Sequence, residues 1–293
     1  MTIAVWKTGH EIADTVADVL ARGVCYDQGR AETWTSNEDS ERNEHLNYWR
    51  NGRPVDIEDT HIGYGILRGM KEVFEIANQR NEKWFNVDRG YFKPGHFDGY
   101  YRISYKGTQQ TANLDTLEPD YERFDKLGIE LKPWRGFARN KPVLIIPPTE
   151  YVQNFFCLEK DQNKWFTSLQ YGPCSNGVIR TKIDNSPIIY DDYSHVVTFN
   201  SSVGWQALAE GIPCVSDPTH SIVGKWFANI PLADLAHAQY KDRHKLFAIM
   251  GRLQLTLKEI REGHLCPLLS QLISTSDGIP ENPLQAMSLH TAS

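Results

Sequence analysis

Residues 196–215 combine apolar, hydroxyl-bearing and small side chains in an order that suits a phosphate site. An apolar run is followed by Asn-Ser-Ser, by a helical pattern that contains Gly204, and by Gly-Ile-Pro before a second apolar run. The order predicts a buried strand, a polar turn, a helix that begins at Ser201, and another buried strand. The N–H groups at a helix N-terminus attract anions, and Ser201 and Ser202 add hydroxyl donors. Helix capping by Ser and tight packing at Gly explain the same pattern without a ligand, so both interpretations stay open.

Two basic residues and one threonine follow other predicted strands. Arg180 and Lys182 end the strand predicted at 177–182, and Thr149 ends the Pro-Pro-Thr turn after the strand at 142–146. Arg offers a planar fork of donors and Lys a point charge, and both suit phosphate oxygens. Ligands of open α/β sheets bind at the carboxyl ends of the strands, so these residues are predicted to meet the same ligand. A solvated strand end is the alternative.

These residues need a framework of alternating strands and helices to position them. The predicted strands lie at residues 2–6, 60–67, 83–87, 100–105, 142–146, 177–182, 194–199 and 212–216. The predicted helices lie at residues 11–22, 70–79, 161–170, 201–210 and 241–274, the last with a kink or break at Pro267. Residues 26–54 are polar and are predicted to form a long loop. The alternation predicts an α/β fold with two Rossmann-like lobes facing each other across a cleft.

A Pro- and Gly-containing stretch at 131–142 is predicted to link the two lobes. The first predicted lobe comprises residues 1–135, and the second comprises residues 136–275. Residues 276–293 are expected to form a C-terminal tail that packs back on the first lobe.

The segment at 196–215 resembles the donor-binding motif of capsular-polysaccharide sugar transferases, the Kdo-transferase group. Their pattern runs approximately V-x-T-x-x-S-x-x-G-x-E-A-L-x-x-G-x-P-V. The residues that match it are Val197, Thr198, Ser201, Gly204, Ala207, Leu208, Gly211 and Pro213. Gln206 stands where that family has Glu, so the donor preference can differ from the family's CMP-linked sugar.

The resemblance implies a GT-B glycosyltransferase whose second lobe holds a UDP- or CMP-sugar. Arg180 and Lys182 lie where the family carries a basic or His-Pro motif that reaches the donor phosphate. The donor-binding residues predicted on this basis are Thr149, Arg180, Lys182, Thr198, Ser201, Ser202, Val203, Gly204 and Gln206. No metal is expected, because the GT-B design neutralises the leaving diphosphate with helix ends and basic side chains.

A second resemblance lies in the first half of the chain. Gly63-Tyr64-Gly65, a helix that ends near Gln79, and the sequence Phe-Asn-Val-Asp-Arg-Gly-Tyr-Phe at 85–92 parallel the family's W-G turn, helix and strand ending in E-D-G-F. Asp88 matches the acidic residue, while Arg89 is an insertion relative to the family's D-G step. The two resemblances together cover both predicted lobes. They imply that residues 1–135 bind the acceptor and carry catalysis and that residues 136–275 bind the nucleotide-sugar donor.

Asp88 is the predicted catalytic residue, and His61 is a weaker candidate. A sugar hydroxyl is a poor nucleophile at neutral pH, so an inverting transferase needs a general base. A retaining transferase can use a carboxylate as its nucleophile instead. Asp88 at the end of a first-lobe strand suits either role. The alternative for Asp88 is a structural ion pair with Arg89 or Arg102.

The acceptor is open between two classes. Residues 80–141 contain twelve Lys or Arg against nine Asp or Glu, although the whole chain has a net charge of −6. Within them, 132–141 interleave bases with aromatics, a pattern that suits phosphates and unpaired bases but also a packed linker. The predicted acceptor-binding residues are Arg89, Tyr91, Arg102, Arg135 and Arg139. A hydroxymethylated pyrimidine flipped out of phage-type DNA is favoured as acceptor, because the compact chain lacks a membrane-association segment, and a capsule or lipopolysaccharide glycan is the alternative.

Composition narrows the classes of protein to which the chain can belong. A hydrophobic content of 40% with 23% charged residues is typical of a folded soluble protein, and no apolar stretch has membrane-spanning length. The five Cys are scattered without a C-x-x-C pair, so a disulfide framework is not expected. A cytoplasmic location is expected instead, which would be the host cytoplasm if a phage encodes the chain. A nucleotide-sugar epimerase and a non-catalytic sugar-nucleotide binder fit the same lobes and stay open. The sugar, the stereochemical outcome and the oligomeric state do not follow from these residues.

Overall fold

The chain forms two compact α/β units. The computed structural model describes residues 2–26, 30–35, 60–156, 158, 176–184 and 186–274. Unit 1 comprises Met1–Thr116 and Met250–Ser293, and unit 2 comprises Leu117–Ile249. Each unit has its own sheet of mainly or entirely parallel strands with helices in the connections. The predicted α/β class is therefore confirmed.

Unit 1 contains a six-stranded sheet in the order β10-β5-β4-β3-β1-β2. Its strands are β1 (Thr2–Lys7), β2 (Arg30–Thr35), β3 (Thr60–Tyr64), β4 (Lys83–Arg89), β5 (Tyr100–Tyr105) and β10 (Gln254–Thr256). The strands from β2 through β1 and β3 to β4 pair in parallel. Antiparallel pairing joins β5 to β4 and β10 to β5.

The helices of unit 1 cover this sheet with apolar stripes. They are α1 (Glu11–Tyr26), α2 (Met70–Gln79), α8 (Leu257–Arg261) and α9 (Leu265–Ser274), and a short 3-10 helix lies at Leu114–Thr116. In α2 the buried residues Met70, Val73, Phe74 and Ala77 recur at helical spacing. The Phe74 ring stacks on Trp84 of β4 at a centroid distance of 4.2 Å, which packs the helix against the sheet.

Unit 2 contains a four-stranded, fully parallel sheet in the order β7-β6-β8-β9. Its strands are β6 (Val143–Ile146), β7 (Gly177–Ile179), β8 (Val196–Thr198) and β9 (Cys214–Ser216). Its helices are α3 (Tyr121–Leu127), α4 (Glu150–Phe155), α5 (Val203–Ala209), α6 (Ile222–Trp226) and α7 (Leu232–Arg252). The last three residues of α7 belong to unit 1. A 3-10 helix lies at Tyr190–Asp192. Val143, Ile145 and Val197 form a buried cluster within the sheet.

Both sheets have a point at which the strand order reverses. In unit 2 the chain goes from β6 to β7 on one side and then crosses to β8 on the other. In unit 1 it goes from β1 to β2 and then crosses to β3. The crevice outside the carboxyl ends of the strands at such a switch point is where open α/β sheets bind ligands. In unit 2 this crevice lies between the loop after β6 and the loop after β8.

Two predicted elements differ from the structure. The segment predicted to be a loop at 26–54 contains β2, whose pairing with β1 depends on backbone hydrogen bonds and not on an apolar pattern. The predicted helix at 241–274 is interrupted by β10, which pairs with β5, and by the turn before α9. Pro267 lies in the first turn of α9, where a missing N–H is tolerated, so the break is not at Pro267.

Other predictions lie partly outside the described residues. The predicted helix at 161–170 and the tail at 276–293 are outside them. The stretch at 131–142, predicted to link the lobes, has no helix or strand before β6 and lies within unit 2. The chain passes from unit 1 to unit 2 between residues 116 and 117, and it returns to unit 1 between residues 249 and 250. The predicted lobes at 1–135 and 136–275 are defined by the ligands that they bind, so they stay a prediction. Among the described residues, no helix has both the length and the apolar character needed to cross a membrane.

Candidate functional site

The predicted donor segment folds into the expected strand, turn, helix and strand. β8 ends at Thr198, α5 begins at Val203, and β9 follows. The turn is held by its own side chains, because the Ser201 N–H donates to Thr198 Oγ1 (3.3 Å) and the Val203 N–H donates to Ser201 Oγ (3.3 Å). The Gly204 N–H donates to the Ser201 carbonyl oxygen at 3.1 Å. Three of the N–H groups that were predicted to face an anion, those of Ser201, Val203 and Gly204, therefore have protein acceptors.

Ser202 is the N-cap residue of α5 and is exposed. Its side chain makes no capping hydrogen bond to the N–H groups of the helix. α5 has only seven residues, shorter than the predicted helix at 201–210, so its dipole is weaker than that of a longer helix. The exposed hydroxyl of Ser202 is the group of this turn that remains for a ligand.

Packing explains the two glycines of the segment. A Cβ on Gly204 would lie 3.1 Å from Cys214 Sγ of β9. Gly211 has a φ of +84°, and its Cβ would lie 2.1 Å from the carbonyl oxygen of Pro133. Position 211 thus requires Gly, and a side chain at Gly204 would force Cys214 Sγ to shift, both independently of any phosphate.

Thr149 borders the switch point of unit 2, and Gln206 lies in the middle of α5. Thr149 follows β6 and is the N-cap residue of α4, with no capping hydrogen bond from its side chain. Gln206 of α5 is exposed, and its Oε1 accepts a hydrogen bond from the Tyr190 hydroxyl at 3.0 Å. Burial raises the pKa of Tyr190, so this hydroxyl stays a donor. Gln206 is therefore oriented by a phenol before any ligand binds.

Arg180 and Lys182 lie at the carboxyl end of β7 but in different environments. The Arg180 guanidinium donates to the Ser186 hydroxyl (3.2 Å) and to the Pro187 carbonyl (3.3 Å), and it lies 3.5 Å from an Asp184 carboxylate oxygen. Its side chain is only 11% exposed. Lys182 is exposed. Arg180 thus orders its own loop, and Lys182 presents its charge to solvent.

Asp88 lies at the carboxyl end of β4 in unit 1. One of its carboxylate oxygens accepts from Arg102 Nη2 at 2.6 Å, and the other accepts from the Arg89 backbone N–H at 2.7 Å. Arg102 also donates to the carbonyl oxygens of Thr108 (3.1 Å) and Arg89 (3.0 Å). The Asp88 side chain remains 34% exposed. The carboxylate is thus fixed in orientation and accessible to a ligand, and the predicted ion pair with Arg102 is present.

Tyrosines surround this carboxylate. Tyr91 is buried under Arg102, whose guanidinium carbon lies 5.6 Å from the ring centroid. Burial raises the pKa of Tyr91 to about 12. Tyr64, at the end of β3, has its pKa raised by burial and then by the Asp88 charge. Arg89 is exposed, with Nη2 3.5 Å from His96 Nε2. Of the predicted acceptor residues in unit 1, Arg89 is thus open to solvent, whereas Tyr91 is enclosed.

His61 is enclosed near the start of β3. Its ring accepts from Trp6 Nε1 at Nδ1 (3.3 Å) and donates from Nε2 to a Glu82 carboxylate oxygen (2.7 Å). The His61 and Glu82 side chains are 1% and 4% exposed. Both ring nitrogens are engaged in the core, which favours a structural role over the predicted catalytic one.

The basic and aromatic run at 132–141 packs within unit 2. Arg135 donates to the Tyr190 carbonyl (3.0 Å) and lies 3.3 Å from an Asp191 carboxylate oxygen. Lys132 forms a 2.6 Å ion pair with Glu210. The guanidinium carbon of Arg243 lies 5.2 Å from the centroid of the Trp134 ring. Arg139 is exposed. The predicted acceptor residue Arg135 is therefore engaged within its own unit, whereas Arg139 is accessible.

Sequence reasoning missed an Asp-His pair at the carboxyl end of β9. Asp217 Oδ1 lies 2.8 Å from His220 Nδ1, and both residues belong to the loop that precedes α6. The spacing D-x-x-H directly after a predicted strand was the available signal. Among the described residues, no group of three or more His, Cys, Asp or Glu side chains is arranged to hold a metal ion.

Comparison with protein-family models and with curated proteins finds no match. Among solved structures, the chain is similar to two sugar transferase domains from Thermosulfurimonas dismutans. One is KpsC, beta Kdo 2,4 transferase, at 10% sequence identity and a TM-score of 0.36, with 74% of this chain and 79% of that chain covered. The other is KpsC, beta Kdo 2,7 transferase, at 12% identity and a TM-score of 0.36, with 74% of this chain and 78% of that chain covered.

Proposed function

We propose that the chain is a glycosyltransferase that takes a sugar from a nucleotide-sugar donor bound at the switch point of unit 2. The observation that supports this most directly is the position of four hydroxyl-bearing residues at the ends of β6 and β8, the two strands that flank the switch point: Thr149, Thr198, Ser201 and Ser202. Small and hydroxyl-bearing residues at such a crevice suit the close approach of phosphate oxygens. The sequence resemblance to capsular sugar transferases involves two of these four residues, Thr198 and Ser201.

Lys182 is the proposed phosphate-neutralising side chain, because it is exposed near the same sheet edge. Arg180 acts indirectly, by ordering the loop that carries Lys182. Gln206, oriented by Tyr190, is the proposed contact to the nucleoside. A UDP- or CMP-sugar is the proposed donor, and no metal ion is required if Lys182 and the turn 198–202 neutralise the leaving group.

Asp88 is the proposed catalytic carboxylate of unit 1. Arg102 and the Arg89 N–H fix its orientation, and each carboxylate oxygen keeps a second lone pair for a hydroxyl proton or for bond formation. It can therefore act as a general base in an inverting reaction or as a nucleophile in a retaining one.

A carbohydrate hydroxyl is the proposed acceptor. The hypothesis of a DNA acceptor rests mainly on the basic run at 132–141. In that run, Arg135 and Lys132 are paired with acidic residues of the same unit. Arg139 remains accessible, so a hydroxymethylated pyrimidine in DNA is kept as an outcome of the test.

The test is a transfer assay with UDP- and CMP-sugars. Each donor is incubated with the protein and with either an oligosaccharide or hydroxymethylated DNA, and released nucleotide and sugar-modified acceptor are both measured. Acceptor-dependent nucleotide release with a modified oligosaccharide supports the proposal. Modified DNA would reassign the acceptor, and release of a free, epimerised sugar without any modified acceptor would make the chain an epimerase.

A further inference from the structure

The loop after β9 lies beside the turn of the candidate donor site. The Asp217 N–H donates to the carbonyl oxygen of Phe199, the residue that follows β8, at 3.1 Å. Residues 217–220 and the turn at 199–202 are therefore hydrogen-bonded neighbours at the carboxyl edge of the unit 2 sheet. A side chain of the 217–220 loop is thus placed next to the switch-point crevice.

Asp217 holds His220 in one orientation. Asp217 Oδ1 lies 2.8 Å from His220 Nδ1, and it also accepts the backbone N–H groups of His220 (2.8 Å) and Thr219 (2.9 Å). A carboxylate oxygen is only an acceptor, so the ring proton lies on Nδ1. In the neutral ring Nε2 then has a free lone pair and is itself an acceptor.

His220 Nε2 is buried, and none of the residues that the structure describes makes a hydrogen bond to it. The residue is only 8% exposed. The rings of Phe156 and Phe199 lie 4.2 Å and 5.1 Å from the imidazole, centroid to centroid, and neither offers a hydrogen-bond donor. Leaving a buried acceptor unpaired costs stability, and such groups in native proteins usually have a partner in the functional state.

We infer that His220 Nε2 accepts a hydrogen bond from a sugar hydroxyl of the nucleotide-sugar donor, with Asp217 as the residue that positions the ring. This inference rests on the proposed function. A hydroxyl fits better than phosphate, because a phosphate dianion has no proton to donate and the Asp217 carboxylate repels it. The Phe156 and Phe199 rings give the apolar surface on which the C–H groups of a sugar pack. Because Nε2 is buried, binding of the hydroxyl requires a neighbouring side chain to move aside.

Matched variants separate this contact from the packing of the ring. His220→Asn keeps a polar group near Nδ1 for Asp217 but removes Nε2, whereas His220→Gln extends an acceptor towards the position of Nε2. His195→Asn is the control, because His195 is also buried and in contact with a phenylalanine but precedes β8 at the opposite edge of the sheet. Circular dichroism and thermal unfolding establish that each variant is folded.

Calorimetric titration uses UDP, UDP-glucose, CMP and CMP-Kdo as probes. For the probe that the wild-type protein binds, His220→Asn is expected to raise Kd about tenfold, as for the loss of one hydrogen bond. His220→Gln is expected to show a smaller loss, and His195→Asn is expected to bind like the wild type. If UDP or CMP alone shows the loss, the hydroxyl is on the ribose, and if only the sugar nucleotide does, it is on the transferred sugar.

A spectroscopic measurement observes the nitrogen directly. With ¹⁵N-labelled histidine, Nε2 of His220 is expected to resonate as an unprotonated nitrogen in the free protein and to shift on addition of the bound probe. Tight probe binding with an unchanged Nε2 resonance, and equal Kd values in wild type and His220→Asn, would overturn the inference while the proposed function stands. A folded wild-type protein that binds none of the probes would overturn both.

Discussion

Replacing Asp88 with Asn separates the chemical role of this carboxylate from its structural one. Asn retains one acceptor for the Arg89 N–H, but its amide N–H₂ group then faces the Arg102 guanidinium, donor against donor. Arg102 keeps the carbonyl oxygens of Thr108 and Arg89, so its guanidinium stays in place. The change therefore removes one charge-assisted hydrogen bond and leaves the surrounding structure intact.

The expected effect on stability is small. A hydrogen bond between charged groups is worth about 1.5–3 kcal/mol, and the 34% exposure of the Asp88 side chain reduces this to about 1 kcal/mol. Thermal unfolding should then show a decrease in Tm of about 3 °C. The matched control is Asp115→Asn, which removes an exposed carboxylate of the same unit.

The expected effect on activity is large. If Asp88 is the base or nucleophile, kcat for sugar transfer should fall at least about a hundredfold, the usual minimum for positioned proton transfer. Donor Kd, measured by calorimetry, should change by only a few fold, because the proposed donor site is in unit 2. A kcat within a few fold of that of Asp115→Asn would refute the catalytic assignment, and a large decrease in Tm with the same loss of activity would make the pair with Arg102 structural.

Two further substitutions test the proposed binding residues. Lys182→Ala should weaken binding of a nucleotide sugar much more than binding of the bare nucleoside, because its charge is expected to meet phosphate. Arg180→Ala should do the same with an added decrease in Tm from its lost loop contacts, and equal calorimetric losses for both ligands would exclude a phosphate role. Combined Arg135→Glu and Arg139→Glu should leave transfer to an oligosaccharide within a few fold. An increase in KM for DNA with a flatter salt dependence in the transfer assay would instead identify DNA as the acceptor.

Periodicity predicted much of the framework but not its polar or interrupted parts. The buried strands and α2 have clear apolar patterns, so the α/β class and the strand-turn-helix-strand at β8 to β9 were predictable. The strand β2 was not predictable, because its polar sequence RAETWT contains no apolar run. The strand β10 lies between two helices and is specified by its pairing with β5, which the local sequence does not contain.

The sequence was enough to predict where the candidate site residues lie, but not which residues they hydrogen-bond or form ion pairs with. The turn at 198–202 and Asp88 were found because each follows a predicted buried strand. The engagement of Arg180 by its own loop and of Arg135 by Asp191 depends on contacts that a list of residue types does not show. His220 was missed because a single histidine in a loop is unremarkable until Asp217 and the unpaired Nε2 are seen together.

The most direct test of the account is calorimetric titration of wild type and Ser202→Asp with UDP, CMP and their sugar conjugates. Ser202 is exposed at the start of α5 and its side chain caps nothing, so the substitution should leave the fold and Tm unchanged. A carboxylate there would occupy the phosphate position and repel the phosphate of the donor. Wild type is expected to bind one of these nucleotides, and Ser202→Asp is expected not to bind it measurably. Undiminished nucleotide affinity in the folded variant would contradict a donor site at the switch point of unit 2.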